Sequence, residues 1–140
     1  MNPNPTTLDV PTGLSNLLGA YDTGHWQTQV CEIKAGIGAL ARGIILATGS
    51  GADVGKLVKL SATTEVNAYG VLLDELIDTT VTYSDGSVTG SVAKAGSFRG
   101  PALIVPTGVD AGLIAVALRG RGIFVEGPIT VPPAGREQEG

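Results

Sequence analysis

Cysteine, histidine and tryptophan each occur once, and aromatic residues make up only 4% of the chain. The single cysteine, Cys31, excludes an intrachain disulfide and any zinc site built on a cysteine pair of this chain alone. The single histidine, His25, would have to carry every imidazole role. It stands in a proline- and glycine-rich stretch that lacks the rigid positioning a catalytic base needs, and no G-x-S-x-G turn accompanies it. Charge is scarce as well, at 16% of residues against roughly 25% in an average soluble domain. Nine basic and thirteen acidic residues leave a net charge of −4, which argues against a phosphate-tracking surface and against nucleic acid as the main partner. No long apolar run is present. The stretch 35–41 is bounded by Lys34 and Arg42, and 113–118 ends at Arg119, well short of the roughly 20 residues of a spanning helix, so no membrane partner is expected. The opening MNPNP has neither the basic region nor the apolar stretch of a secretory signal. The expectation is a soluble protein made in a cytoplasm.

The 140 residues suffice for one domain, and a hydrophobic content of 43% is too high for a disordered chain. The 21 glycines follow no three-residue period, which excludes collagen. Three segments are expected. Residues 1–27 read as an extended arm: Pro3, Pro5 and Pro11 favour extended backbone, while Leu8, Val10, Leu14, Leu17, Tyr21 and Trp26 are dotted along it. Such side chains either fold back on the body or wait for a partner. Residues 28–126 read as a mostly β body, and 127–140 as a tail rich in proline, glycine and charge.

Within the body, 29–33 alternates apolar and polar residues, 40–47 is apolar apart from Arg42 and Gly43, and 57–60 is a short strand candidate. The stretch 69–77 fits a helix or a strand. The β-rich stretches 79–83 and 87–92 flank Asp85-Gly86, which predicts a hairpin with a type I′ turn. A further strand is expected over 98–105, with Pro101 marking an edge or bulge. One helix is expected over 111–118, capped by Asp110 and ended at Gly120, then a last strand over 123–125. The fold class is therefore mainly β with one short helix, built as a small barrel or sandwich.

Chemical motifs fail on inspection. Gly36-Ile37-Gly38-Ala39-Leu40-Ala41 fits the dinucleotide pattern G-x-G-x-x-A, but Arg42-Gly43-Ile44-Ile45 interrupts the helix that should hold the pyrophosphate. GSGADVGK at 49–56 has Ser50 where a P-loop needs glycine, and Leu57 where it needs the Mg²⁺-binding hydroxyl. Asp74, Glu75 and Asp78 lack the glycine-spaced loop of a calcium site and read as a solvated face. Cys31 reads as a small buried hydrophobe. No catalytic residue, cofactor, metal or small-molecule substrate is expected, and the low-charge, apolar body reads as an interaction protein.

Three motifs occur in order: Leu40-Ala41-Arg42-Gly43-Ile44-Ile45-Leu46, then Ala68-Tyr69-Gly70-Val71-Leu72-Leu73, then Val92-Ala93-Lys94-Ala95-Gly96-Ser97-Phe98-Arg99. With a short helix and a final Gly122-Ile123-Phe124-Val125 strand, they resemble the head decoration proteins of tailed bacteriophages, the lambda decoration protein family. The resemblance covers residues 35–126; the arm differs and the C-terminal tail is additional. It implies a β-tulip body that sits as a homotrimer at three-fold and quasi-three-fold positions on the outer surface of the expanded head. There it would clamp the major capsid protein against internal DNA pressure, with the arm adding to a capsid β structure. Leu8, Val10, Leu14, Leu17, Tyr21 and Trp26 are then the expected capsid contacts. Arg42, Gly43, Gly70, Gly96, Phe98 and Gly122 are the expected structural positions, the glycines at 43, 70 and 96 marking turns, bulges or close backbone approaches. A tail or fibre component and a small nucleotide-binding enzyme are the alternative readings.

Overall fold

A computed structural model describes residues 27–133. Its elements are β1 (Gln27–Ile33), β2 (Ala39–Ala41), β3 (Ile45–Thr48), β4 (Leu57–Lys59), β5 (Ala68–Leu72), β6 (Leu76–Asp78), β7 (Val88–Arg99), helix α1 (Ala111–Arg119) and β8 (Ile123–Glu126). The fold is mainly β with one short helix, as the pattern of its strands, turns and capped helix predicts.

Six strands form one sheet in the order β1-β4-β3-β5-β7-β8, and β1 also pairs with β7. Strands β1, β4, β3, β5 and β7 therefore close on themselves. The seam is narrow: β1 and β4 run parallel and meet at a single register pair, Ile33 with Leu57, whereas β1 follows β7 along its whole length. Strands β2 and β6 make a separate antiparallel pair.

The apolar runs in β3 and β5 arise because both faces of these strands are covered. Ile33, Leu46, Leu57, Leu72, Val88 and Val92, one or more from each strand of the ring, fill its interior with Leu40 from β2. The opposite face of β3, β5 and β7 carries Ile45, Ala47, Val71, Ala93 and Phe98, and packs against Ile114 and Leu118 of α1 with Leu103, Ile123 and Ile129. This double burial explains why periodicity could not separate helix from strand over 69–77. The segment is β5 and β6, broken at residues 73–75.

Strand β7 serves both cores by changing face. Gln27 lies opposite Ala95 while Thr28 lies opposite Ala93, so Lys94 is the extra residue of a bulge. One added residue reverses the inward set, since side chains alternate with period two. Val88 and Val92 point into the ring, and Phe98 beyond the bulge points to the outer core.

Several expectations need correction. The run 40–47 is two strands in different sheets, parted by Gly43 at φ +96°. The stretch 79–83 is turn and bend rather than strand. Its turn is not type I′, because only Gly86 (φ +84°) has positive φ and no non-glycine residue does. Gly86 N–H donates to the Tyr83 carbonyl at 2.8 Å and Tyr83 N–H to the Ser87 carbonyl at 2.9 Å, the pattern of a three-residue loop closed by a glycine bulge. The expected strand over 98–105 stops at Arg99. Pro101 instead sits in a 3₁₀ turn, Gly100–Ala102, and only Ile104 returns to the sheet through a bridge to Ile44.

The helix forms as its sequence dictates. The Asp110 carboxylate accepts the Gly112 and Leu113 amides, satisfying two otherwise orphan donors, and Arg119 lies in the last turn. Ile114 and Leu118, one turn apart, are fully buried, each worth about 1.5–3 kcal/mol.

Candidate functional site

The six expected arm contacts, Leu8, Val10, Leu14, Leu17, Tyr21 and Trp26, lie outside the described residues, as does His25. The motif positions lie within them and serve as framework. Gly96 N–H donates to the Gly122 carbonyl at 3.1 Å, joining β7 to the start of β8, and both glycines have positive φ. Gly43 donates to the Leu72 carbonyl and accepts from Ile104 N–H, each at 2.9 Å, where β2, β3 and β5 meet. Arg42 reaches the same junction, its Nε–H donating to the Leu73 carbonyl at 2.8 Å. Gly70 is a close approach: an added Cβ would lie 2.5 Å from the Ala93 carbonyl oxygen and from Val92 Cγ1. Phe98 is fully buried.

The most built surface lies where the ring gapes. Because β1 and β4 touch only at Ile33 and Leu57, a hollow of about 330 Å³ opens beside them, lined by Gln29–Glu32 of β1, Thr48, residues 55–57 and Tyr69. Tyr69 of β5 closes one side, donating its hydroxyl to Gln29 Oε1 at 3.2 Å. On the far side of Tyr69 a second hollow of about 320 Å³ is lined by Lys94, Gly120 and Arg121. Arg121 is held in place there. Its Nε–H donates to the Ala68 carbonyl at 3.0 Å, and its guanidinium lies 4.9 Å from the Tyr69 ring centroid.

Sequence reading missed this convergence. Tyr69, Lys94 and Arg121 are far apart along the chain, and no spacing rule connects them. The available signal was indirect: the first two lie inside the motifs that carry the family resemblance, and Arg121 directly precedes Gly122.

Cys31 is half-buried rather than buried. Burial pushes its thiol up, partly opposed by the Lys94 charge. Of the acidic trio, Glu75 and Asp78 are exposed and Asp74 is half-buried. Asp74 accepts the Ser91 amide at 2.7 Å, and Asp78 accepts the amide and hydroxyl of Thr80 at 3.0 and 2.6 Å. Among the described residues no cluster of histidine, cysteine, aspartate or glutamate could hold a metal ion. Residues 49–56 form a connector with a 3₁₀ turn, Gly51–Asp53, tied down by an ion pair of Lys34 with Asp53 at 3.1 Å.

No family model matches the chain, and no curated protein matches it.

Proposed function

We propose that this chain is a capsid decoration protein of a tailed bacteriophage. It binds the expanded head as a homotrimer at three-fold and quasi-three-fold sites and stabilises the shell against internal DNA pressure, as a virion component on the outer surface. It does so by assembly, without catalysis, cofactor or small-molecule substrate. The observation that carries the reading is the ordered set of motifs Leu40 to Leu46, Ala68 to Leu73, Val92 to Arg99 and Gly122 to Val125 on a mainly β body with one short helix. The β-tulip form of the body belongs to this proposal.

Two features support an assembly role. Strand β1, which directly follows the arm, is exposed from Gln27 to Val30, with Val30 at 69%. Leu113 and Val116, one turn apart on the outer face of α1, are also exposed. An arm adding a strand to a shell gains main-chain hydrogen bonds and pockets for alternate side chains. Three arms on one trimer bind at high effective concentration once the first is engaged. Binding only the expanded lattice stabilises it by about 2.7 kcal/mol per site at a hundredfold excess over Kd.

Co-sedimentation with expanded and unexpanded shells of the chain's own phage tests the reading. Saturable binding to expanded shells alone, at a fixed ratio to capsid protein and lost on deleting residues 1–20, is expected. Binding to neither shell overturns it and directs attention to tail or fibre assemblies.

A further inference from the structure

The two hollows that meet at Tyr69 have features that the assembly reading does not use. On one side, Arg121 is anchored: its Nε–H donates to the Ala68 carbonyl at 3.0 Å and its guanidinium carbon lies 4.9 Å from the Tyr69 ring centroid, which leaves the two Nη groups outside that hydrogen bond. Lys94 lines the same hollow because the β7 bulge sets it apart from the regular ladder. Neither cation makes an ion pair among the described residues, although the chain as a whole has an excess of acid. A guanidinium anchored at its Nε and an ammonium lining one hollow match a carboxylate in charge, and the guanidinium can bind it bidentately.

We propose that Arg121, Lys94 and Tyr69 form a carboxylate-binding subsite that takes an acidic side chain from an extended peptide of a partner protein. The peptide lies across Tyr69, with its acidic residue beside Arg121 and its neighbours over the hollow lined by Val30, Cys31 and Leu57. In that first hollow Glu32 pairs with Lys56 at 3.9 Å, so the charges there balance and the acid is drawn to the Arg121 end. A nucleic acid fits less well. Its binding needs a track of repeated phosphate contacts, whereas this surface concentrates two cations at one point of an acidic chain. The inference does not depend on the partner being a phage shell.

An NMR titration of the ¹⁵N-labelled full chain tests it, using a blocked peptide of sequence TVEVT, its glutamine counterpart TVQVT, inorganic phosphate and a single-stranded oligothymidylate. The TVEVT peptide is expected to shift the Arg121 Nε–H and the Gly120 and Gly122 amides saturably in the millimolar range, with TVQVT about tenfold weaker. Lys94→Gln and Arg121→Gln are each expected to weaken TVEVT binding several-fold. Arg121→Lys, which keeps the charge and loses the fork, is expected to fall between Arg121→Gln and the parent. Lys94 is exposed, so Lys94→Gln carries the test if Arg121→Gln fails to fold. Equal binding of the two peptides, shifts centred elsewhere, no saturable shift at millimolar peptide, or tighter binding of phosphate or oligothymidylate at these residues would each overturn the proposal.

Discussion

The Asp74 carboxylate accepts the Ser91 amide at 2.7 Å, just past the point where β5 ends. Leu73 N–H donates to the Ser91 carbonyl at 2.9 Å, so both polar groups of Ser91 are matched by consecutive residues of one turn. A side chain thus extends the ladder by one bond after the strand itself has turned away. Removing it orphans a half-buried amide. Asp74→Ala should lower stability by about 1.5–3 kcal/mol, the range for hydrogen bonds to charged groups. Urea unfolding at constant m-value measures this, and a change below a few tenths of a kcal/mol would refute the role.

Two buried glycines of the sheet should respond differently to alanine. At Gly70 the new methyl meets the Ala93 carbonyl oxygen and Val92 Cγ1, both at 2.5 Å, and backbone cannot step aside. At Gly90 it meets only the ends of flexible side chains, Ile77 Cδ1 at 2.6 Å, Ile33 Cδ1 at 2.8 Å and Leu72 Cδ1 at 3.1 Å. Gly70→Ala should cost about 1–3 kcal/mol through overpacking. Gly90→Ala should cost clearly less, helped by the roughly 0.5–1 kcal/mol that alanine gains over glycine within a strand. Thermal unfolding of the two variants side by side gives the order, and the reverse order would contradict the packing.

Cys31 should react slowly with thiol reagents. Burial raises its pKa above the ordinary thiol value, so the thiolate fraction at neutral pH is below that of a free cysteine, and Lys94 only partly offsets this. Because the folded value exceeds the unfolded one, raising the pH through this range deprotonates the unfolded chain first and lowers stability. Alkylation by iodoacetamide should be slower in the native chain than in urea. Lys94→Gln should slow it further.

Asp78 and Asp85 should give a shallow acid dependence. Hydrogen bonds from Thr80 and Ser87, hydroxyl and amide in each case, hold these exposed carboxyls below their ordinary value. A depressed folded pKa stabilises above the unfolded pKa, and the contribution fades as pH falls through the folded value. The stability difference between the parent and Asp85→Asn should therefore be largest near neutrality and shrink below about pH 4.

What the sequence made legible was whatever local chemistry decides. Asp110, the run of good formers after it and Arg119 marked α1, because cap and helix lie within a few residues of each other. Strands β1 and β8 were equally local. The misjudged places were those where tertiary contacts decide. The run 40–47 is apolar on both sides of Gly43, so nothing local says that its halves join different sheets. Asp85-Gly86 marked a turn correctly but could not fix its type, which depends on whether Asp85 itself takes positive φ. The strand expected past Phe98 stops at Arg99, where the chain turns through Gly100–Ala102 at a point so close to the backbone of residues 127–128 that a Cβ on Gly100 would clash with it. The groove at Tyr69 was not legible because it exists only once β5, the β7 bulge and the end of α1 are assembled.

The change of face within β7 has a consequence for how the body comes apart. Neither core should loosen alone, since melting the ring interior pulls on the backbone that presents Phe98 to the outer core. The two cores are spliced into one cooperative unit, and the central β7 amides should exchange with solvent only through whole-body opening. The proposed role as a fastener under outward load would benefit from this arrangement. A tug on one edge would then be shared across the molecule, with half-open forms disfavoured.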